Sequence, residues 1–130
     1  MYIVDTDILI EFLAGNPLLA EKFSKHQEDL FTTSINVAEL IYGAWKSERR
    51  EKSLSEVKIL LQNIGILNFT ANSAHKFGEV KSALERKGIP LGDTDLFIAS
   101  VALAFNSTFV THNTKHFLKI PGLKVVDWLK

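Results

Sequence analysis

The sequence predicts an α/β fold with a central parallel β-sheet flanked by helices on both faces. Short apolar runs of strand length alternate with segments whose apolar residues recur at helical spacing, as parallel sheets require. The segment from Leu96 to Phe105 is apolar at every position except Ser100, so a helix there has no solvent face and must be buried. With 130 residues the chain is long enough for one hydrophobic core, and we expect a single domain over residues 1–130.

The first third of the chain predicts two strands and two helices. The apolar run Tyr2–Val4 suits a buried strand, and Thr6 is placed to cap the helix that follows it. Residues 15–17, Gly-Asn-Pro, end this helix. A second helix is expected from Pro17 to about Lys25, because proline is favoured in a first turn. Leu30–Thr33 then predicts the second strand.

Ser34 opens an amphipathic helix whose faces differ in chemistry. The predicted core face repeats at the spacing of one helical side and consists of Val37, Leu40, Ile41, Ala44 and Trp45. Another face carries Glu39, Tyr42, Gly43 and Lys46. Glu39 is therefore not expected in the core.

The remaining segments continue the alternation of helix and strand. In order they are a helix at 47–63, a strand at 66–69, a helix at 71–86 closed by Lys87-Gly88, the buried helix after Pro90, a strand at 108–111, a helical turn at 114–117 and a strand at 123–126. In open parallel sheets, ligands bind outside the carboxyl ends of the strands. The residues that follow each strand are therefore the first candidates for a site.

Composition excludes several kinds of site. The chain has no cysteine, which removes disulfides, thiolate metal sites and cysteine nucleophiles and fits a reducing cytoplasm. Fifteen basic and fifteen acidic residues cancel, so any contact with nucleic acid must use a local patch. A zinc site would need the histidines, and we interpret the closest pair, His112 and His116, as surface residues. No apolar run approaches a membrane span, and neither a signal peptide nor an anchor is expected.

Acidic residues follow the predicted strands and enter the buried helix. Asp5 ends the first strand, and Glu39 lies in the first turns after the second. Asp93 and Asp95 stand at the entrance of the buried helix, and residues 111–113 close the strand after it. Carboxylates crowded at one sheet edge would repel one another, so they would share protons or hold a cation. With oxygen ligands alone the cation would be Mg²⁺ or Mn²⁺, which points to metal-dependent chemistry on phosphate.

Each acid also has a plain structural interpretation. Asp5 could cap the first helix, and Asp93 could cap the buried one. Glu39 could be a solvated helical residue that pairs with Lys46 two turns later. Taken singly, these acids do not establish a site. Their common placement at strand ends is what favours one.

Five segments carry a resemblance to a known family. They are the runs 3–10 (Ile-Val-Asp-Thr-Asp-Ile-Leu-Ile), 38–44 (Ala-Glu-Leu-Ile-Tyr-Gly-Ala), 92–99, 110–117 and 120–128. In order and spacing, over nearly the full chain, the sequence resembles the PIN-domain family and in particular the VapC-type toxins of bacterial and archaeal toxin–antitoxin pairs. The resemblance implies a PIN-like fold with a central parallel sheet and a Mg²⁺-dependent endoribonuclease, with Mn²⁺ as a plausible substitute.

The resemblance also implies roles for the acids. Asp5, Glu39 and Asp95 match the three acids of the family's metal site, and Asp93 is an additional acid that we count with them as catalytic. Two positions depart from the family's pattern. Asn is common where this chain has Asp7, and many members carry a fourth acid at the position of residue 113, which is Asn here. An amide there can still hydrogen-bond a metal-bound water, but it disfavours a second metal ion.

Substrate contacts are expected from four side chains: Thr6, Lys46, Thr111 and Asn113. Lys46 is favoured for phosphate contact because it lies two turns from Glu39 on the same side of its helix. The acids interspersed in the basic run 46–52 favour a solvated helix for the rest of that run. The resemblance further implies an RNA substrate, a small VapB-type antitoxin that covers the site, and a homodimer within a larger toxin–antitoxin hetero-oligomer.

Two other functions remain open on the residues alone. A haloacid-dehalogenase-type phosphatase would use Asp5 and Asp7 as its nucleophile and acid, and residues 92–95 as its late metal motif. The chain is short for that fold, and Glu39 would have no role. A catalytically silent PIN-like module that binds RNA or protein is favoured by Asn113 and opposed by the retention of all three acids.

Overall fold

Five strands and seven helices alternate along the chain, and this computed structural model describes all 130 residues. The strands are β1 (Tyr2–Val4), β2 (Leu30–Thr33), β3 (Gly65–Leu67), β4 (Thr108–Val110) and β5 (Lys124–Val126). The helices are α1 (Thr6–Leu13), α2 (Pro17–Lys25), α3 (Ser34–Lys46), α4 (Arg50–Leu61), α5 (Ala71–Arg86), α6 (Asp93–Ala104) and α7 (Thr114–Phe117), with a 3-10 turn at Gln27–Asp29. None of the helices combines the length and the apolar character that crossing a membrane requires.

The strands form one parallel sheet in the order β3-β2-β1-β4-β5. The central strand is therefore β1, and Ile3 pairs with Phe31 of β2 on one side and Phe109 of β4 on the other. This register brings the carboxyl ends of the three middle strands together. The residues that follow them are gathered at one edge of the sheet.

Helices cover both faces of the sheet, as the sequence predicts. Successive strand residues point to opposite faces, so Ile3 packs with the cluster of α5, α6 and α7, whereas Val4 packs with that of α1 to α4. Phe109 and Val110 repeat this division on β4. Helices bury both faces of the sheet, which explains why the strands carry apolar residues on both faces.

Helix capping confirms one sequence interpretation at α1 and contradicts one at α6. Of the two residues that could cap α1, Asp5 is the N-cap and Thr6 is not, since the Asp5 carboxylate accepts from the Thr6 backbone N–H. Asp93 does not cap α6 either, since Gly92 holds that position without a side-chain hydrogen bond. The end of α5 is as predicted, because Gly88 adopts the positive φ of 68° that such a helix end requires.

Contacts with neighbouring residues explain why one helix and one strand are shorter than predicted. The helix expected from residue 47 begins only at Arg50, because Ser47 has extended backbone and its hydroxyl accepts from the Arg49 N–H. The strand expected at 66–69 spans Gly65–Leu67. Its ladder ends where Leu67 pairs with Thr33, the last residue of β2.

Helix α3 buries a narrower stripe than its sequence pattern indicates. Leu40 and Ala44 are buried, whereas Ile41 and Trp45 of the predicted core face are exposed. The helix packs against α1, α4 and α6, and these neighbours leave its outer side open. Helix α6 is likewise not buried all round, since Phe97 is 36% exposed.

Candidate active site

Three strand ends supply the floor of the candidate site. Asp5 follows β1 directly, Thr33 ends β2 and caps α3, and Thr111 follows β4. Since β1 lies between β2 and β4, these side chains meet at the middle of the sheet edge. All three are buried. The site therefore rests on polar side chains that the sheet holds in place.

Both carboxylate oxygens of Asp5 are held by donors from distant parts of the chain. Oδ1 accepts from the Thr6 backbone N–H at 2.8 Å and from Asn36 Nδ2 at 3.0 Å. Oδ2 accepts from the Thr111 hydroxyl at 2.7 Å. Only 8% of Asp5 is exposed. Its carboxylate is thus fixed in one orientation by packing and hydrogen bonds.

Asn36 is a site residue that sequence reasoning missed. It is fully buried in the first turn of α3, and its Nδ2 donates to Asp5 Oδ1 and, at 2.8 Å, to Thr6 Oγ1. Its Oδ1 accepts from the Thr33 hydroxyl at 2.6 Å. A buried amide satisfied at both ends holds its neighbours in register. The only sequence signal is a polar residue three positions after Thr33, which a capping motif alone explains.

Glu39 joins the same network from the exposed side of α3. The Thr6 hydroxyl donates to Glu39 Oε1 at 2.6 Å. Asp5, Asn36, Thr6 and Glu39 therefore form one continuous hydrogen-bonded chain. Two of the three predicted metal-binding acids, Asp5 and Glu39, are brought together by it.

Burial and neighbouring charge raise the pKa of Asp5 from 3.8 to about 6. Burial is the largest cause because it disfavours the charged form, and the Asp7 carboxylate adds to it, with a smaller contribution from Glu39. Hydrogen bonds from Thr111 and Thr6 act in the opposite direction. The charged form of Asp5 is thus disfavoured unless a cation offsets its neighbours.

Asp7 belongs to a second group of contacts beside the first. Its Oδ1 accepts from the Ile8 N–H at 2.7 Å and its Oδ2 from the His112 N–H at 3.1 Å. The His112 ring continues the group, since its Nδ1 lies 2.9 Å from Oδ2 of Asp127, which follows β5. Burial is the main cause that raises the pKa of Asp7, while the two backbone donors oppose it. Asp7 therefore adds negative charge near Asp5 but makes no hydrogen bond with the Asp5 carboxylate.

Asp95 reaches the site from α6 through a histidine. Its Oδ2 lies 3.3 Å from His116 Nδ1, and the same nitrogen lies 3.0 Å from the side-chain amide of Asn113. One ring nitrogen cannot accept from an amide and donate to a carboxylate at once. With Asp95 ionised, His116 donates and the Asn113 amide turns its oxygen to the ring. The Asn113 N–H donates to Thr111 Oγ1 at 3.0 Å, which connects this group to Asp5.

His112 and His116 are exposed, as expected. Two predicted site residues, Asp93 and Lys46, make their contacts elsewhere. Asp93 forms a surface ion pair with Lys81 of α5 at 3.0 Å. Lys46 does not pair with Glu39, and its Nζ instead lies 5.1 Å from the centroid of the Tyr42 ring. Asp93 is therefore already paired with a basic side chain, whereas Lys46 has no acidic partner and lies on the open side of α3.

The oxygen atoms at this edge fit a hard divalent cation. The acids are Asp5, Glu39 and Asp95, and the pKa of Asp5 is raised mainly by burial and next by the charge of Asp7, both of which a bound cation would oppose. No three His, Asp or Glu side chains come close enough to enclose an ion by themselves. A divalent cation at this edge would therefore need water or substrate oxygens to complete its coordination.

Comparison with known proteins identifies the family of the chain. The family model described as PIN domain matches residues 2–123. Ribonuclease VapC2 of Rickettsia felis is 36% identical over 138 residues, which cover 100% of this chain and 99% of that protein. The tRNA(fMet)-specific endonuclease VapC of Shigella flexneri is 33% identical and covers 98% of this chain and 97% of its own.

Solved structures of toxin–antitoxin complexes share the fold. One is VapBC2 from Rickettsia felis bound to a DNA fragment from their promoter, with a TM-score of 0.93, 34% identity and 98% of both chains covered. Another is VapBC-1 from nontypeable Haemophilus influenzae, with a TM-score of 0.90, 32% identity and 99% and 98% covered. These relatives do not favour the phosphatase alternative. The chain belongs to the PIN-domain family, in the branch formed by the VapC ribonucleases.

Proposed function

We propose that the chain is a Mg²⁺-dependent endoribonuclease that acts as the toxin of a VapBC-type toxin–antitoxin pair. The observation that carries the proposal is the hydrogen-bonded chain Asp5–Asn36–Thr6–Glu39 at the carboxyl edge of the sheet. It connects two carboxylates through Asn36 and Thr6, and the pKa of one of them, Asp5, is raised to about 6. Membership of the VapC branch supports RNA as the substrate.

Asp5, Glu39 and Asp95 would hold the cation, Mg²⁺ or Mn²⁺. When bound, it would supply positive charge to the attacked phosphodiester. Asn113 stands where many family members have a fourth acid, which supports one ion rather than two. To hold the ion, Asp95, which is partly exposed, would exchange its 3.3 Å contact with the His116 ring for a contact with the ion.

The chain's own groups would orient the reactants and move a proton. Thr111 and Asn36 keep both oxygens of Asp5 in place. Glu39 has one oxygen fixed by Thr6 and the other free of protein contacts, so the free oxygen can accept a proton from the attacking water. Phosphate and ribose contacts would come from Thr6, Lys46 and Asn113, whereas Thr111, predicted from sequence as a fourth contact, is fully buried and holds Asp5 instead. Of these, Lys46 is the one that brings positive charge.

We also propose a VapB-type antitoxin as the partner, with a toxin homodimer inside a larger hetero-oligomer. The solved relatives are VapBC complexes. A groove of about 490 Å³ between α1, α2 and α4, lined mainly by apolar side chains such as Phe12, Phe23 and Ile59, supports the docking of an antitoxin segment. Light scattering of the toxin alone and with its antitoxin tests both statements.

Cleavage of total RNA by the purified, antitoxin-free chain tests the enzymatic proposal. We expect cuts at few positions with Mg²⁺ or Mn²⁺, none with EDTA, and none from the Glu39→Gln variant. A tRNA-enriched fraction belongs in the assay, because the Shigella flexneri relative is named a tRNA(fMet)-specific endonuclease. Folded protein that cleaves no RNA would contradict the proposal and favour the silent binding module. Cleavage that survives in Glu39→Gln would remove Glu39 from the mechanism.

A further inference from the structure

Two large aromatic side chains stand on the open side of α3, close to the candidate site. Tyr42 is 64% exposed and Trp45 is 53% exposed. Tyr42 lies one turn after Glu39 on the same side of the helix, and Trp45 lies one turn after Tyr42. At 1.5 Å and 100° per residue, Trp45 is about 9 Å along the helix axis and about 120° around it from Glu39. Tyr42 is thus the ring next to a phosphate bound at Glu39, and Trp45 lies beside Tyr42, further from that phosphate.

Each ring is held by a cation from the following residues. Lys46 Nζ lies 5.1 Å from the Tyr42 ring centroid, and Arg50 Cζ lies 4.7 Å from the Trp45 ring centroid. Arg50 is anchored, because its Nε donates to the Trp45 backbone oxygen at 3.1 Å. Cation–π contacts of this kind fix the ring planes. Both aromatic side chains stay more than half exposed beside these cations.

The cations beside the rings are not neutralised by the acids of the same segment. Residues 46–52 contain four basic and two acidic residues. None of the four basic side chains lies within 4 Å of a carboxylate. In a chain whose formal net charge is zero, this segment is therefore a local positive patch beside two exposed rings. Aromatic rings combined with positive charge are how single-stranded nucleic acids are bound without base pairing.

We propose that Tyr42 and Trp45 form a stacking platform for unpaired bases of the RNA substrate, with Lys46 and Arg50 as the phosphate contacts beside it. The proposal rests on the ribonuclease function proposed above and names the part of the RNA that the protein holds. Stacking of bases on the exposed rings would fix the nucleotides near the scissile phosphate. The positive charge of this segment complements the phosphates of RNA, whereas a second copy of this chain has a formal net charge of zero. We therefore propose RNA as the occupant of this surface.

Binding measured in EDTA separates the platform from catalysis. Trp45 and Trp128 are the two tryptophans, and Trp128 is only 4% exposed, so acrylamide quenching reports mainly on Trp45. We expect a short single-stranded oligoadenylate to protect Trp45 from acrylamide. An oligonucleotide of abasic sugars with the same number of phosphates should protect it far less. Equal protection by both would contradict stacking and leave only phosphate contact.

Variants then test the contribution of the ring. Trp45→Ala should weaken binding of the oligoadenylate about tenfold or more, whereas Trp45→Phe should stay within about threefold of wild type. Ile66→Ala, at an exposed apolar residue of the edge strand β3, is the matched control and should bind as wild type. Unchanged binding by Trp45→Ala, or a shift of that variant from dimer to monomer without loss of RNA binding, would overturn the proposal. Wild-type protein that protects Trp45 but cleaves nothing would support the platform and contradict the nuclease proposal.

Discussion

The hydroxyl of Thr6 and the carboxylate of Glu39 are joined by a 2.6 Å hydrogen bond across 33 positions of sequence. Thr6 is the first residue of α1 and Glu39 lies in the middle of α3, so this contact links two helices directly at the candidate site. The same hydroxyl accepts from Asn36. Because Glu39 is otherwise exposed, its orientation depends on Thr6.

Replacing Thr6 by Val should lower kcat/KM about 10- to 100-fold. The substitution keeps the shape of the side chain but frees the Glu39 carboxylate to rotate into solvent. Steady-state cleavage of an RNA oligonucleotide measures the effect. Thr6→Ser keeps the hydroxyl and should retain most of the activity. An equal loss in Thr6→Ser would mean that the methyl group, and not the hydrogen bond, matters.

Asp5→Asn should abolish cleavage and yet stabilise the metal-free protein at neutral pH. The pKa of Asp5 is raised from 3.8 to about 6, so its stabilising contribution is complete below pH 3.8 and is lost as the pH rises through 6. The loss is about 3 kcal/mol at neutral pH, at 1.36 kcal/mol per pKa unit. The amide removes it, so unfolding in urea with EDTA should show a more stable variant near neutral pH and no difference in acid.

Added Mg²⁺ should raise the Tm of the wild type and leave that of Asp5→Asn nearly unchanged, since binding to the native state alone stabilises it. A variant less stable than wild type at neutral pH would mean that the hydrogen bonds of the carboxylate outweigh the cost of burying its charge. An equal Tm shift in both proteins would remove Asp5 from the metal site.

Asp7→Asn should move the acid limb of the pH–rate profile to lower pH. The charge of Asp7 is the second cause of the raised pKa of Asp5, so its removal lowers that pKa and keeps Asp5 ionised in more acidic solution. The measurement is kcat/KM between about pH 5 and pH 8. Glu11→Gln, which removes an exposed acid from the same helix, should leave the limb where it is. A limb that moves equally in both variants would reflect net charge and not the neighbour of Asp5.

Asp93→Asn and Asp95→Asn should differ sharply, although both residues open α6. Asp93 is paired with Lys81 on the surface, so its neutralisation should cost activity less than about threefold. Asp95 faces His116 beside the site, and its neutralisation should cost about a hundredfold or more. Parallel cleavage assays decide between them. Similar losses in the two variants would return Asp93 to the catalytic set predicted from sequence.

Much of the fold can be predicted because it depends on local patterns. Apolar runs mark the strands, and Gly88 marks the end of α5. The position of Asp5 at the end of β1 also follows from sequence, since ligands of parallel sheets bind at that edge. The choice of a cap between adjacent residues is harder to predict. Asp5 and Thr6 are both good caps by residue type, and only the backbone decides between them.

The rest depends on partners that are distant in sequence. Asn36 belongs to the site only because Asp5 and Thr6 lie opposite it across the sheet edge, and no periodicity reveals that. Trp45 has the spacing of a core residue, but no neighbouring helix covers it, so its exposure appears only in three dimensions. The same limit applies to Asp93, whose surface partner Lys81 lies on another helix.

The bond between Thr111 and Asp5 spans 106 positions, and the Asp5 backbone N–H also donates to the Val110 oxygen at 2.8 Å. A chain synthesised from its N-terminus therefore makes Asp5, Asn36 and Glu39 long before the strand that completes their surroundings. Until β4 leaves the ribosome and inserts beside β1, Oδ2 of Asp5 lacks its hydrogen bond from Thr111. The order of strands in the sheet thus means that the candidate site is complete only after β4 has been synthesised and paired with β1.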